Sequence, residues 1–273
     1  MTGTLYLVAT PIGNLEDITY RAVRILREVD RIACEDTRQT RKLLNHYAID
    51  RPLEAIHEHN ERERCAQLVD RIVAGENVAL VSDAGTPLIS DPGYRLVREA
   101  ITRQVPVVAI PGPSAVMTAL AASGLATDEF LFAGFLPPKS GARRNELARQ
   151  QGEQRTLIYF EAPHRVLETL SDIAETLPGR PVVAARELTK LHEEVLRGTP
   201  AEIRAVLAAR PAVLGEFTLL VGKTEGIAAK PTDEALLEAV AQRIAAGDSR
   251  MDAIKAVARQ YGLPKGDVYR IAG

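Results

Sequence analysis

The sequence predicts an α/β protein made of two α/β domains in succession and a small helical appendix. Three observations carry that expectation. Short apolar runs alternate with amphipathic helical stretches up to about Gly124, the alternation restarts after Gly124-Leu125-Ala126-Thr127, and strand patterns vanish from Gly226 onward. The corresponding divisions are 1–124, 125–226 and 227–273.

The first strand, 4–9, rests on the apolar run Leu5-Tyr6-Leu7-Val8-Ala9. A helix follows from about Asp17, then a short strand at Arg31–Cys34, and helices at 37–48 and 61–74. In the last of these, Cys65, Leu68, Val69, Ile72 and Val73 share one helical face, which makes Cys65 a packing residue. Strand 78–82, helix 94–103, strand 105–110 and helix 114–123 complete the order of a doubly wound parallel sheet. In the second domain, strands are expected at Phe130–Ala133, Thr156–Phe160, Val182–Ala185 and Phe217–Val221, with helices at about 164–177 and 200–208. The appendix reads as three short helices, Thr232–Ala246, Ser249–Tyr261 and Pro264–Ile271. Their spacing suits a helix-turn-helix that presents Lys255, Arg259, Lys265 and Arg270 to phosphates, or equally a packing or dimerisation cap.

Composition narrows the class. Of 273 residues, 46% are hydrophobic and 26% charged, the balance of a soluble enzyme. No run approaches the roughly 18 apolar residues of a membrane helix, and MTGTLYLVATPIGN lacks the basic flank of a signal peptide, so the cytosol is the expected compartment. Cys34 and Cys65 have no C-x-x-C spacing, which argues against a dithiol or metal pair. A net charge of −2 gives no global nucleic-acid signature, so any such contact must be local.

Three strands end in the same way. Leu5–Ala9 runs into Thr10-Pro11-Ile12-Gly13-Asn14, Val78–Val81 into Ser82-Asp83-Ala84-Gly85-Thr86-Pro87, and Val107–Ile110 into Pro111-Gly112-Pro113-Ser114. Loops of small residues beyond the carboxyl ends of parallel strands are where open α/β sheets bind ligands, and Gly13, Gly85 and Gly112 allow close backbone approach. Neither G-x-G-x-x-G after a strand nor G-x-x-x-x-G-K-[ST] occurs, which argues against a nicotinamide cofactor or a nucleoside triphosphate.

Other segments hold candidate chemistry. PPKSGARRNELARQQGEQR, 137–155, sets five cations against two acids, +3 in nineteen positions, and reads as a flexible basic loop for a phosphate backbone or as a solvated linker and exposed helix. In Cys34–Lys42, Asp36 or Thr37 suits a helix cap, and Glu35 and Asp36 beside Arg38, Arg41 and Lys42 suggest proton handling or substrate contact, against surface ion pairing. His57-Glu58-His59-Asn60 has no third metal ligand spaced nearby, so no metal is expected. His164 and Arg165 begin a helix, where they face the cleft or make a local polar contact. Asp83 ends a strand, where a carboxylate can bond a ligand or balance its positive charge, and Asp91 reads as the cap of the helix that follows.

TPIGNLEDIT, CEDTRQTRKLL, LVSDAGTPLISDPGY, IPGPSA with SGL, and FLFAGFLPPK, in order from residue 4 to about 224, closely resemble the bacterial small-subunit ribosomal RNA methyltransferase I family. That resemblance implies the tetrapyrrole-methylase fold, with two α/β domains, a cofactor cleft between them and a homodimeric assembly. It implies transfer of a methyl group from S-adenosylmethionine to the ribose 2′-oxygen of a cytidine in the decoding region of 16S RNA. Carried over by position, the cofactor residues are Thr10, Pro11 and Gly13; Ser82, Asp83, Ala84, Gly85, Thr86 and Pro87; Gly112, Pro113, Ser114 and Ala115; and, from the second domain, Phe132, Glu161, Ala162 and Leu188. Glu35 and Asp36 are the candidates for orienting or deprotonating the acceptor, and Arg38, Arg41, Lys42, Lys139, Arg143 and Arg144 for holding RNA. Rival readings are a methyltransferase of the same fold acting on a tetrapyrrole or a protein, and a non-catalytic RNA-binding ribosome-assembly factor. An aromatic content of 4% with no tryptophan disfavours a large apolar acceptor, and an assembly factor has no need of three cofactor loops.

Overall fold

Short, mostly apolar strands frame the first domain. β1 (Leu5–Val8), β2 (Arg31–Cys34), β4 (Val78–Val81) and β5 (Val107–Ile110) join β3 (Leu53–Ala55) in a sheet ordered β3-β2-β4-β1-β5, with every pairing parallel. All four residues of β4 are buried, as a central parallel strand covered on both faces requires. α1 (Tyr20–Glu28) and α2 (Thr37–His46) cover one face through Ala22, Ile25, Leu26 and Leu44. α3 (Glu61–Val73) and α4 (Tyr94–Thr102) cover the other through Leu68, Val69, Ile72, Leu96 and Ala100, a core that includes Cys65. The computed structural model describes residues 1–56, 61–223, 233–261 and 263–272; the His57–Asn60 motif, the division at 226/227 and Thr232 lie outside them.

Local chemistry explains where the sequence reading missed. β3 is an edge strand of three residues, one of them Glu54, too short to show a period. The helix expected from Asp17 is a single 3-10 turn, Leu15–Asp17, followed by α1, because the Thr19 side chain accepts from Ala22 N and starts a new helix. Asp91 does not cap α4. Its N-cap is Gly93, at φ +119° and without a side-chain bond.

The second sheet contains β6 (Phe130–Phe135), β7 (Thr156–Glu161), β8 (Val182–Arg186), β9 (Glu194–Gly198) and β10 (Phe217–Val221), ordered β6-β7-β10-β8-β9. Only β6 and β7 run parallel; the other pairings are antiparallel. β9, unexpected from sequence, is an edge strand of Glu194-Val195-Leu196-Arg197-Gly198, whose charged positions mask the apolar ones. α6 (Ser140–Arg149), α7 (Val166–Thr176) and α8 (Pro200–Ala208) pack on one face through Leu147, Leu170, Ile173, Ile203 and Leu207.

The other face receives α5 (Ala115–Ser123), which follows the first sheet in sequence yet packs on the second. Val116, Ala119 and Leu120 meet Ile12 from the first domain and Ile158, Val183, Leu188 and Leu220 from the second in one core. Arg197 of β9 then grips the end of α5, donating to the carbonyls of Ser123, at 3.0 Å, and Ala122. A cation on the last carbonyls satisfies groups the helix leaves open. α9 (Asp233–Ala245), α10 (Arg250–Gln260) and α11 (Lys265–Ala272) form a three-helix unit around Leu236, Val240, Ile254, Val257 and Val268. Among the described residues no helix is long and apolar enough to cross a membrane.

Candidate active site

β4, β1 and β5 are adjacent and parallel, so the three small-residue loops leave the sheet side by side. Hydrogen bonds stitch them together. Thr10 and Gly85 exchange backbone bonds of 2.9 and 3.0 Å, Thr10 Oγ1 donates to Ser82 O at 3.0 Å, Ser82 Oγ to Gly85 O at 2.9 Å, and Thr86 Oγ1 to Pro113 O at 3.1 Å. Two glycines are sterically required. A Cβ on Gly112 would sit 2.9 Å from Ala9 Cβ, and one on Gly13 would sit 3.0 Å from Leu188 O in the second domain.

These loops meet the second sheet around a hollow of about 330 Å³, inside the range of roughly 300–1,000 Å³ typical of small-molecule pockets. Five of the residues assigned to the cofactor by resemblance line it: Ala84, Ala115, Glu161, Ala162 and Leu188. Ile12, from the first of the three expected loops, lines it too, and so do Phe135, Phe160 and Glu216, which escaped sequence reasoning. A signal existed for the rings, since Phe135 and Phe160 sit near the ends of strands whose loops face the same cleft. Phe132 stands behind this wall, its ring 4.9 Å from that of Phe160. Thr10 and Ser82 are buried braces, Ser114 caps α5, and Pro11, Gly13, Gly85, Thr86, Pro87, Gly112 and Pro113 form the frame.

Glu161 is a fixed charge in the wall. Its buried carboxylate accepts from Ala162 N at 2.8 Å and Thr169 Oγ1 at 2.6 Å, and pairs with Arg165 at 2.6 Å. Arg165 is therefore occupied locally, and His164 is exposed.

A second hollow, of about 450 Å³, opens at the ends of β2, β3 and β4 and is lined by Glu35, Asp36, Thr37, Arg38, Ala55 and Asp83. Asp83 faces this hollow and the next residue, Ala84, faces the first, so one peptide unit forms part of both walls. Asp36 caps α2, accepting from Arg38 N at 2.7 Å, and its own N–H donates to Asp83 Oδ1 at 3.1 Å. The Arg38 side chain, hydrogen-bonded to it, holds the Asp36 carboxyl below its ordinary range. Asp91 lies behind this group. Burial, then the charges of Glu35 and Asp83, push its carboxyl up to about 6, with the Ser82 hydroxyl opposing the shift. The D-P-G-Y pattern, which reads as a helix start, concealed it.

The expected RNA-holding residues divide. Arg38 is 88% exposed at the rim of the second hollow; Arg41, in the next turn, reaches Asp50 at 3.8 Å and Lys42 donates to Gln39. Across the molecule, the assignment of Arg143 is overturned. Of the segment expected to start as a flexible loop, only 137–139 precede α6 and Ser140 and Gly141 already belong to its first turn, while Arg143 is fully buried, bonded to Asp172 at 2.6 Å, to Pro138 O at 3.2 Å and to Glu168 at 3.4 Å. Arg144 shares Asp172 and reaches Glu175, both at 2.7 Å. Arg149 and Arg155 pair with Glu146 and Glu153, so the apparent basic run is largely neutralised within the fold. Lys139 is exposed and makes no ion pair among the described residues. Among those residues there is no group of three His, Cys, Asp or Glu side chains placed to hold a metal ion.

Two α/β domains closing on a hollow at the strands' carboxyl ends define a two-domain protein that binds a small molecule in its cleft. Residues 4–204 match the family described as Tetrapyrrole (Corrin/Porphyrin) Methylases, and the chain belongs to it. It is 50% identical, across 98% of its length and 94% of the relative's, to a protein from Halalkalibacterium halodurans named Ribosomal RNA small subunit methyltransferase I. It is 46% identical, across 99% and 96%, to the protein of that name from Pasteurella multocida. A uroporphyrin-III C-methyl transferase from Thermus thermophilus, solved with S-adenosyl homocysteine, shares the fold at a TM-score of 0.56 and 19% identity, covering 81% of this chain and 98% of that one.

Proposed function

We propose that this chain is an S-adenosylmethionine-dependent methyltransferase of small-subunit ribosomal RNA, with the ribose 2′-oxygen of a decoding-region cytidine in 16S RNA as acceptor. Relatives with that enzyme name span nearly the whole chain, and the fold neighbour solved with S-adenosyl homocysteine supports the donor. The observation that carries the reading is the shared wall: an apolar hollow and an acid-lined hollow separated by Asp83-Ala84. Apolar walls suit an adenine, and carboxylates around the partition suit a positively charged sulfur.

When bound, S-adenosylmethionine supplies an activated methyl on a sulfonium. Ile12, Ala84, Ala115, Phe135, Phe160, Ala162 and Leu188 would hold it, against the frame fixed by Thr10, Ser82 and Thr86. Positioning supplies several kcal/mol of barrier reduction, and a base assists because a ribose hydroxyl is a weak acid. Asp36, committed to capping α2 and to Arg38, orients. Glu35, on the wall of the acceptor hollow, is the proposed proton acceptor. Arg38, Arg41, Lys42 and Lys139 are proposed for phosphate contact; Arg144, half-exposed, can join them only through its outward edge. A homodimer and a cytoplasmic location belong to the same reading.

The test is to supply S-adenosylmethionine and small ribosomal subunits from a strain lacking this gene, then map ribose methylation in 16S RNA by mass. One new 2′-O-methylcytidine in the decoding region is expected. Methylation of a tetrapyrrole or protein in its place, or no binding of the donor by calorimetry, would refute the proposal.

A further inference from the structure

The following rests on the methyl-transfer reading above. Around the acceptor hollow, charge is separated by place. Glu35, Asp36 and Asp83 line it against a single cation, Arg38, which stands at the rim and pairs with Asp36, and Asp91 lies close to Glu35 and Asp83, so the carboxylates outnumber the cation and disfavour a phosphate at its centre. Cations stand to either side. Arg38, Arg41 and Lys42 belong to the first turns of α2, and Arg95 and Arg98 to those of α4. α2 and α4 cover opposite faces of the first sheet. Each directly follows a parallel strand, β2 or β4, so both begin at its carboxyl edge.

On the α4 side a groove of about 680 Å³ runs between α3 and α4, lined by Cys65, Ala66, Tyr94, Arg95, Arg98, Glu99 and Thr102. Small residues, Cys65 and Ala66, form its α3 wall, and Tyr94, the first residue of α4, lines it with 67% of its surface exposed. A tyrosine in that position buries little of its ring within the chain and offers a flat face to an unpaired base. Arg98 makes no ion pair among the described residues, and Glu99 is the single carboxylate of the described lining.

We infer that the RNA strand crosses the edge of the first sheet, with the target ribose in the acid-lined hollow, phosphates on the α2 cations and on Arg95 and Arg98, and the base of a flanking nucleotide stacked on Tyr94. Single-stranded RNA is held by base stacking on aromatic rings and by cations along the backbone, and the carboxyl edge of this sheet carries both, with the acceptor hollow at the ends of β2, β3 and β4. The acids keep the backbone at the flanks, which leaves the ribose as the part of the nucleotide that enters.

The experiment measures binding of unmethylated small subunits across a salt series, and binding of S-adenosylmethionine by calorimetry, for the unaltered protein and for Tyr94→Ala, Tyr94→Phe and Arg98→Ala. Tyr94→Ala should weaken subunit binding by about fivefold to a hundredfold, while Tyr94→Phe stays within about twofold. Arg98→Ala should lower the salt slope by about 1. Donor affinity should not change in any variant. Subunit binding by Tyr94→Ala equal to that of the unaltered protein overturns the strand path while leaving methyl transfer standing. Failure of the unaltered protein to bind either the subunit or its RNA overturns both.

Discussion

Replacing Asp91 with asparagine should stabilise the protein at neutral pH and leave it unchanged in acid. The Asp91 carboxyl is pushed up to about 6 from its ordinary 3.8, first by burial and then by Glu35 and Asp83. A raised pKa means that the folded state holds the proton more tightly than the unfolded chain. Stability therefore falls as pH rises from about 4 to about 6, and above that range the full penalty of an ionised, half-buried carboxylate is present. The gap between about 6 and 3.8, at about 1.36 kcal/mol per pKa unit, sets a ceiling of about 3 kcal/mol. Asparagine keeps the shape and a hydrogen-bonding group for Ser82 and removes the charge. Urea unfolding of both proteins at intervals from pH 4 to pH 8 isolates the effect, because titrating groups remote from Asp91 cancel in the difference and only Glu35 and Asp83, coupled to it, contribute beside it. The variant should gain up to about 3 kcal/mol at pH 8, and the gain should shrink to nothing near pH 4. Parallel stability curves for the two proteins would show that Asp91 ionises normally and that neither burial nor the neighbouring carboxylates raise its pKa.

Glu35→Gln should lower methyl transfer by about 10²- to 10⁴-fold with donor affinity retained, measured by single-turnover kinetics; full turnover would remove Glu35 as proton acceptor. Gly112→Val drives a side chain against Ala9, where even a Cβ stands 2.9 Å from its methyl. It should cost about 1–3 kcal/mol in chemical unfolding and weaken donor binding about tenfold or more in calorimetry. Arg143→Met should destabilise by about 3 kcal/mol, because Asp172 stays buried with only Arg144 and Ser140 to hold it, and adding Asp172→Leu should restore most of the loss.

Fold and site were legible to different depths. The loops after β1, β4 and β5 could be read because small residues directly after an apolar run have few other uses, and their convergence follows from neighbouring parallel strands. β3 and β9 could not, since an edge strand of three residues and one flanked by charges lack the alternation that betrays a strand. The basic stretch at 137–155 misled for a physical reason: charge counted along a chain takes no account of partners far along it. Asp172, twenty-nine residues beyond Arg143, turns an apparent phosphate grip into a buried brace. Asp91 is hidden in the opposite way, by a local pattern so suited to starting a helix that nothing in it points to Glu35 or Asp83.

The placement of α5 sets how the cleft can work. A helix owned in sequence by one half and in packing by the other, pinned at its end by Arg197, ties the two halves together through a shared core. Traffic into and out of the 330 Å³ chamber must then pass at its mouth, where Phe135, 56% exposed, stands like a door leaf beside a rigid frame. Exchange of spent donor for fresh would be timed by the swing of side chains instead of by the parting of domains.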